Sequence, residues 1–280
     1  MRAGPDAAVV SGSGATSSAN HQEVPDWRSR LSRARAVARR ARGSSRCCSP
    51  CRARPPDVEN LLDHLDDLYR STSSIARVEV LALTPHATRT LRLKAWSRGH
   101  DHALIVIEDP PREAGTATLR VGTNLWNYLP RIARTIRVPP SMMLGSWMGT
   151  DLTNDDLVKE SSLRQDYVAK LEGRVVDPPG WRLALEVRPD VVGRWSKIEI
   201  QVTDDGLPVE ERHYDRRGRL ARVLTFDQVK TLGGRRLPTR VALVPADEQG
   251  RRTELHYLDI AFDVPIPDDT FSLSRLEENR

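Results

Sequence analysis

From about residue 75 the chain alternates apolar and polar side chains with a period of two, and this alternation limits the fold more than any other feature. Leu91 and Leu93 alternate with Arg92 and Lys94. Trp181, Leu183, Leu185 and Val187 face one way, with Arg182 and Glu186 facing the other. Ile198, Ile200 and Val202 alternate with Lys197, Glu199 and Gln201, and Leu237, Val241 and Leu243 flank Arg240. Side chains two apart in a strand share a face, so these are strands with one apolar and one wet face. Asp205-Gly206, Arg217-Gly218, Gly233-Gly234 and Gln249-Gly250 separate successive strand-like runs and predict tight hairpins. Consecutive hairpins make an antiparallel meander. A long, twisted meander buries its single apolar face by curling into a barrel or half-barrel. No strand–helix–strand rhythm points to a doubly wound fold.

Two segments break the alternation. Asp57 reads as an N-cap for a helix running to about Ser71, with Val58, Leu61, Leu62, Leu65 and Leu68 in one stripe and Glu59, Asp63, Asp66 and Asp67 on the other face. A helix this short is marginal alone, so its stripe must lie on something apolar. Residues 139–160 read as helical turns, one at Ser141–Leu144 and one at Thr153–Val158, where Thr153 and Asp156 form a capping box with Asp in the place of Glu.

The charge is divided unevenly. The formal net charge is +5, yet residues 1–56 hold eleven Arg against three acidic residues, a net +8, which leaves −3 on the rest. The body therefore gives no electrostatic reason to bind a phosphate backbone. Residues 1–56 are rich in Ala, Arg, Gly, Ser and Pro and lack periodicity, which predicts a disordered segment. The segment also lacks the apolar stretch of a working export signal, so it is read as a degenerate signal or as one replaced by a displaced start; the competing reading is a basic tail that touches anionic lipid or nucleic acid. Cys47, Cys48 and Cys51 all lie there, so the body has no disulfide framework and no thiolate metal site. No apolar run is long enough to cross a membrane as a helix.

Candidate ligand contacts come from three places. The strand Asn124–Pro130 carries Trp126 and Tyr128, and their alternatives are the wall of a ligand cavity or ordinary sheet packing. Met142, Met143, Trp147 and Met148 crowd one short segment; methionine adapts to ligands of varied shape, and a gap-filling core is the alternative. Leu91, Leu93, Leu183, Leu185, Ile198 and Ile200 would line the inside of the curved sheet. Asp151, Asp155 and Asp156 lack the spacing of a calcium loop and are better explained by helix capping, so no metal and no cofactor is expected. The histidines are scattered, and neither a nucleophile elbow nor a metalloprotease or phosphate-loop motif is present, so an enzyme is not the expected class.

Three motifs in order carry a family resemblance: Trp126-x-Tyr128-Leu129-Pro130 with its trailing arginines; Gly149-Thr150-Asp151-Leu152-Thr153-x-Asp155-Asp156-Leu157; and Ile266-Pro267-Asp268-x-x-Phe271-Ser272. Over about residues 57–275 the sequence resembles the outer-membrane lipoprotein-sorting proteins of the LolA-like superfamily. The resemblance implies an unclosed, strongly curved antiparallel β-barrel with a helical lid over an apolar cavity, in one domain from 57 to 280. It also implies an envelope carrier in the periplasm that holds lipoprotein acyl chains or phospholipid and passes them to a membrane transporter or an acceptor lipoprotein. A cargo-free adaptor of a membrane transporter and a lipid- or glycan-acting hydrolase remain as alternatives. A filled core would mark the first; a carboxylate pair or a His–carboxylate pair in one cleft would mark the second.

Overall fold

The structure is a computed structural model of the chain and describes residues 54–158, 162–191 and 195–278. The expectation for residues 1–56 falls almost wholly outside them. Thirteen strands of the described residues form one antiparallel sheet that does not close. In chain order they are β1 (Ser73–Thr84), β2 (Ala87–Arg98), β3 (His102–Asp109), β4 (Ala117–Val121), β5 (Asn124–Leu129) and β6 (Arg134–Val138). After a long connection come β7 (Tyr167–Val175), β8 (Gly180–Val187), β9 (Lys197–Thr203), β10 (Pro208–Tyr214), β11 (Leu220–Leu232), β12 (Arg235–Pro245) and β13 (Arg252–Phe262). Each meander runs by nearest-neighbour hairpins, and the two meet where β1 pairs with β13 in the middle of the sheet. The two edges, β6 and β7, are therefore neighbours in sequence, joined by residues 139–166. All four glycine-bearing dipeptides lie in the hairpin turns predicted for them.

The inner face of the sheet can be followed strand to strand. Leu183 sits opposite Ile200, Ile200 opposite Glu211, Glu211 opposite Leu224, and Leu224 opposite Leu243. Across the seam, Leu255 faces Val80, and Val80 faces Leu91. Two covers lie on this face. Helix α1 (Val58–Asp67), capped by the Asp57 carboxylate accepting from the Glu59 and Asn60 amides at 3.1 and 3.3 Å, buries Leu61, Leu62 and Leu65 against Leu183, Leu185, Ile198 and Ile200. The connection from β6 to β7 inserts Trp147 and Leu152 among Val78, Val80, Leu91, Leu93 and Leu243.

Helix α1 stops four residues short of the sequence expectation. The Ser71 backbone turns left-handed (φ 57°), and the Ser71 and Thr72 hydroxyls both donate to the Asp263 carboxylate at 2.7 Å, which draws the chain into β1. The capping box at Thr153 is present: the Thr153 amide donates to Asp156 Oδ2 at 2.8 Å, and the Asp156 amide donates to Thr153 Oγ1 at 3.1 Å, opening helix α2 (Asn154–Val158). Helix α3 (Leu163–Asp166) is tied to α1, where Asp66 accepts from the Ser162 hydroxyl at 2.8 Å and the Leu163 amide at 3.1 Å. Helix α4 (Leu273–Glu278) lies on the opposite, outer face, where Phe271 and Leu276 pack on Leu104, Leu119 and Tyr128. Periodicity does not foretell β6, α3 or α4, which are four to six residues each.

Candidate functional site

Two apolar cavities adjoin under the covers of the inner face, with volumes of about 150 and 160 Å³. The first is built by small side chains in cross-strand rows. Ser74, Ser97 and Ala103 form one row, and Ala76, Ala95 and Ile105 the next. At the corresponding positions under α1 the sheet carries Leu and Ile; here Ala and Ser leave space. The Ser74 and Ser97 hydroxyls bond to each other at 2.8 Å, so the row adds no unpaired polar atom to the wall. Val78, Val80, Leu93 and Leu255 complete the apolar lining, and Arg70 stands in the same wall. Burial lowers the Arg70 pKa to about 10, with Arg120 adding to the effect.

The second cavity lies between α1 and strands β9 to β13, lined by Leu65, Leu68, Ile198, Leu224, Phe226 and Val241 among others. Tyr69, Asp156, Leu255 and Tyr257 line both cavities. Tyr69 and Tyr257 stack with centroids 4.5 Å apart, and the Tyr69 hydroxyl donates to the Pro238 carbonyl at 2.8 Å. Burial raises the Tyr69 pKa, and raises that of Tyr257 to about 12, so both phenols stay neutral.

One end of the second cavity is polar. Arg222 points two nitrogens at the Asp156 carboxylate, both at 2.6 Å, and lies over the Trp195 ring at 4.4 Å. Burial alone would raise the Asp156 pKa; Arg222 and the Thr153 bonds outweigh it and bring the carboxyl down to about 2. This pair fastens the β6–β7 connection to β11. Asp151 adds a second tie, its amide donating to Thr253 Oγ1 at 3.0 Å and its carboxylate meeting Arg251 at 2.8 Å. Asp156 thus serves the capping box and an ion pair, and Asp151 an ion pair. Among the described residues, no group of three or more His, Cys, Asp or Glu is arranged to hold a metal ion.

His213 and Glu211 bring a His–carboxylate pair into the same cavity wall, 3.0 Å apart. Burial and the neighbouring Arg222 lower the His213 pKa, so the ring is neutral. Its Nε2 meets Glu211 and its Nδ1 meets Arg222 at 3.4 Å. Both ring nitrogens are thus engaged inside the protein, which leaves neither open to take a proton from a bound molecule.

The structure sorts the twelve predicted ligand contacts into four groups. Leu93 and Ile198 line the cavities. Leu91, Leu183, Leu185 and Ile200 belong to the same inner face but are fully packed behind it. Trp126 and Tyr128 pack with Leu104, Leu119 and Phe271 on the outer face, away from both cavities. Their shared parity was legible, but parity alone does not say which face is the inside. The methionine segment divides: Trp147 is buried, Met148 is partly buried beside it, Met143 is half-buried, and Met142 is 59% exposed. Sequence reasoning missed Tyr69, Tyr257, Arg222 and His213. The signal for Arg222 was present: in Arg222, Leu224 and Phe226 a cation occupies a position where the period of two calls for an apolar residue.

This open antiparallel sheet is similar in fold to several solved structures. Among solved structures, a LolA superfamily protein from Nitrosomonas europaea matches 78% of this chain and 98% of its own at 22% identity, with a TM-score of 0.66. An outer membrane lipoprotein-sorting protein domain from Vibrio parahaemolyticus matches 78% of this chain and 97% of its own at 21% identity (TM-score 0.67). A DUF1329 family protein from Desulfovibrio piger matches the same shares at 24% identity (TM-score 0.71). At these identities the likeness is one of fold. The chain belongs to a family described as "Uncharacterized protein", whose model matches residues 99–278. No curated protein matches the chain.

Proposed function

We propose that the protein is an envelope carrier that takes up acyl chains of a lipoprotein or phospholipid in the two adjoining cavities, and that it acts by binding and not by catalysis. The observation that carries this reading is a pair of adjoining apolar cavities on the inner face, the first left open by Ser74, Ala76, Ala95 and Ala103, in a fold shared with lipoprotein-sorting proteins. Each CH₂ moved out of water contributes about 0.8 kcal/mol, so even a short stretch of chain is a substantial ligand. A dry cavity of about 150 Å³ takes a molecule the size of benzene. At these volumes each cavity accepts only part of an acyl chain, and a full chain requires α1 or the 139–158 stretch of the connection to lift. The cargo-lining residues in this reading are Leu93, Ile198, Ala76, Val78, Leu255 and Tyr257. Release into a membrane or an acceptor lipoprotein follows from the same opening. The engaged His213 nitrogens favour the carrier over the hydrolase, and the voids favour it over a cargo-free adaptor.

The test is native mass spectrometry of the full chain purified without detergent, followed by solvent extraction and lipid analysis. Co-purifying phospholipid or diacyl cargo is expected. Ala95→Phe should fill the first cavity and cut the retained lipid by about tenfold or more, while the melting temperature stays within a few degrees. A chain that carries no lipid and takes none from vesicles would defeat the carrier reading and return it to the adaptor.

A further inference from the structure

The open edge of the sheet at β6 differs from the rest of the surface. Between Glu113 and Asp151 the sequence has no acidic residue for 37 positions, although the body as a whole is net negative. The same stretch contains Arg120, Arg131, Arg134 and Arg137. Arg120 is buried and donates to the Gly122 and His100 carbonyls, so it serves the fold. The other three are exposed. Among the described residues none of the three has an ion-pair partner; Arg137 bonds the Asn124 amide oxygen. This is unusual here, because most other exposed arginines of the sheet, such as Arg77, Arg92, Arg174 and Arg212, are paired with a carboxylate.

Large apolar side chains stand exposed among these cations. Ile132 (57%), Ile136, Met142 and Leu144 protrude within thirteen residues of chain. Ile132 is held at the tip of a short 3₁₀ turn, Pro130–Ile132, closed by the left-handed Ala133. Among the described residues, strand β6 pairs with β5 alone, and Thr135 Oγ1 bonds Glu277 of α4 at 2.7 Å. An exposed apolar edge of this kind is a liability unless something covers it. Cations interleaved with protruding aliphatic residues match an anionic lipid surface, where each Arg or Lys near the headgroups adds to binding and the apolar side chains enter the acyl boundary. The Arg-rich segment of the same chain, net +8, is electrostatically unsuited to this site.

We propose that residues 131–144, comprising edge strand β6 and the turn that follows it, form a docking surface for an anionic lipid bilayer. The proposal places the protein at the membrane with which the carrier reading has it exchange cargo, but it does not require cargo. Lipid retention tests the cavities, and a footprint on vesicles tests this edge, so each can fail alone.

The experiment is hydrogen–deuterium exchange by mass spectrometry on the full chain, with and without phosphatidylglycerol vesicles and with phosphatidylcholine vesicles as the control. Site resolution separates this edge from any binding by the Arg-rich segment. Protection over residues 131–144 is expected with phosphatidylglycerol, weaker protection with phosphatidylcholine, and loss at high salt. Arg131→Gln, Arg134→Gln and Arg137→Gln together should raise the lipid concentration needed for half-protection of this peptide by roughly tenfold to a hundredfold. Ile132→Ser with Ile136→Ser should weaken it without changing the preference between the two lipids. Protection confined to other peptides, or equal protection by both lipids, overturns the proposal. Protection of 131–144 that rises with protein concentration in the absence of vesicles also overturns it, in favour of contact with a second copy. If the triple variant does not fold, the salt and lipid dependence of the unaltered chain decides.

Discussion

The inner face of the sheet is filled at one end and hollow in the middle, although both parts are written in the same alternating pattern. Under α1, Leu61 and Leu62 pack with Leu183, Leu185 and Ile200, and these three strand residues are inaccessible, while Leu65 and Ile198 mark the border with the second cavity. Around the seam, the inward positions of β1 to β3 include Ser74, Ala76, Ala95 and Ala103, and the covering Tyr69–Tyr257 pair bridges over a void without filling it. The period of two decides which residues face inward. Their size decides whether the face becomes a core or a container.

The comparison can be strained first at the polar end of the hollow part. Arg222→Met leaves the buried Asp156 carboxylate without its cation, and a loss of about 3–5 kcal/mol is expected. Thermal unfolding should show a drop of roughly 2–4 °C per kcal/mol. Asp156→Leu combined with Arg222→Met should restore most of it. A single variant that melts with the unaltered protein would mean that this pair does not hold the connection to the sheet.

Truncation of the walls compares the two parts directly. Leu183→Ala opens a hole in the filled part and should cost about 2–5 kcal/mol. Leu93→Ala enlarges a void that already exists, removes fewer contacts, and should fall at or below the low end of that range. Equal losses in denaturant titrations would erase the distinction between core and container.

The smallest effect is the acid sensitivity of the polar end of the hollow part. Asp156 has a folded-state pKa near 2 against an ordinary 3.8, so its contribution is complete above about pH 4 and is lost as the pH falls toward 2. The shift corresponds to on the order of 2 kcal/mol. His213, lowered from an ordinary 6.5, acts in the same direction: holding it neutral favours the folded chain above pH 6.5, and that advantage shrinks as the pH drops below it. Stability measured from pH 7 to 3 should therefore decline in two stages. Arg222→Met should shrink the lower stage, since Asp156 then loses the interaction that depresses it, and Glu254, brought down to about 2 by its bond to Arg240, accounts for what remains.

The hairpins and the stripe of α1 were legible because their causes are local: a glycine in a turn, an Asp at a cap, a leucine every three or four residues. Strand β4 was hidden because Ala117, Thr118, Leu119 and Arg120 are all buried, so both faces are covered and the alternation vanishes. Of the two readings open for Trp126 and Tyr128, cavity wall or sheet packing, the outer cover of Phe271 and α4 corresponds to packing. The container depends on contacts that no local pattern reports. Tyr69 meets Tyr257, and Asp156 meets Arg222, across long stretches of chain. What could have been read is smallness: Ala76, Ala95 and Ala103 stand at inward positions of otherwise bulky strands.

The seam between β1 and β13 also sets an order of assembly. Val78 lies opposite Tyr257, so the central ladder joins the first of the described strands to the last. During synthesis the hairpins from β1 to β6 have neighbours to pair with as they emerge, yet β1 keeps one open side until β13 has left the ribosome. Pairing over such separations is slow, since the loop entropy is lost before the contacts form. Until then the half-made sheet presents Val78, Val80 and an unpaired strand edge to the cytosol, which is the kind of surface that holding chaperones bind.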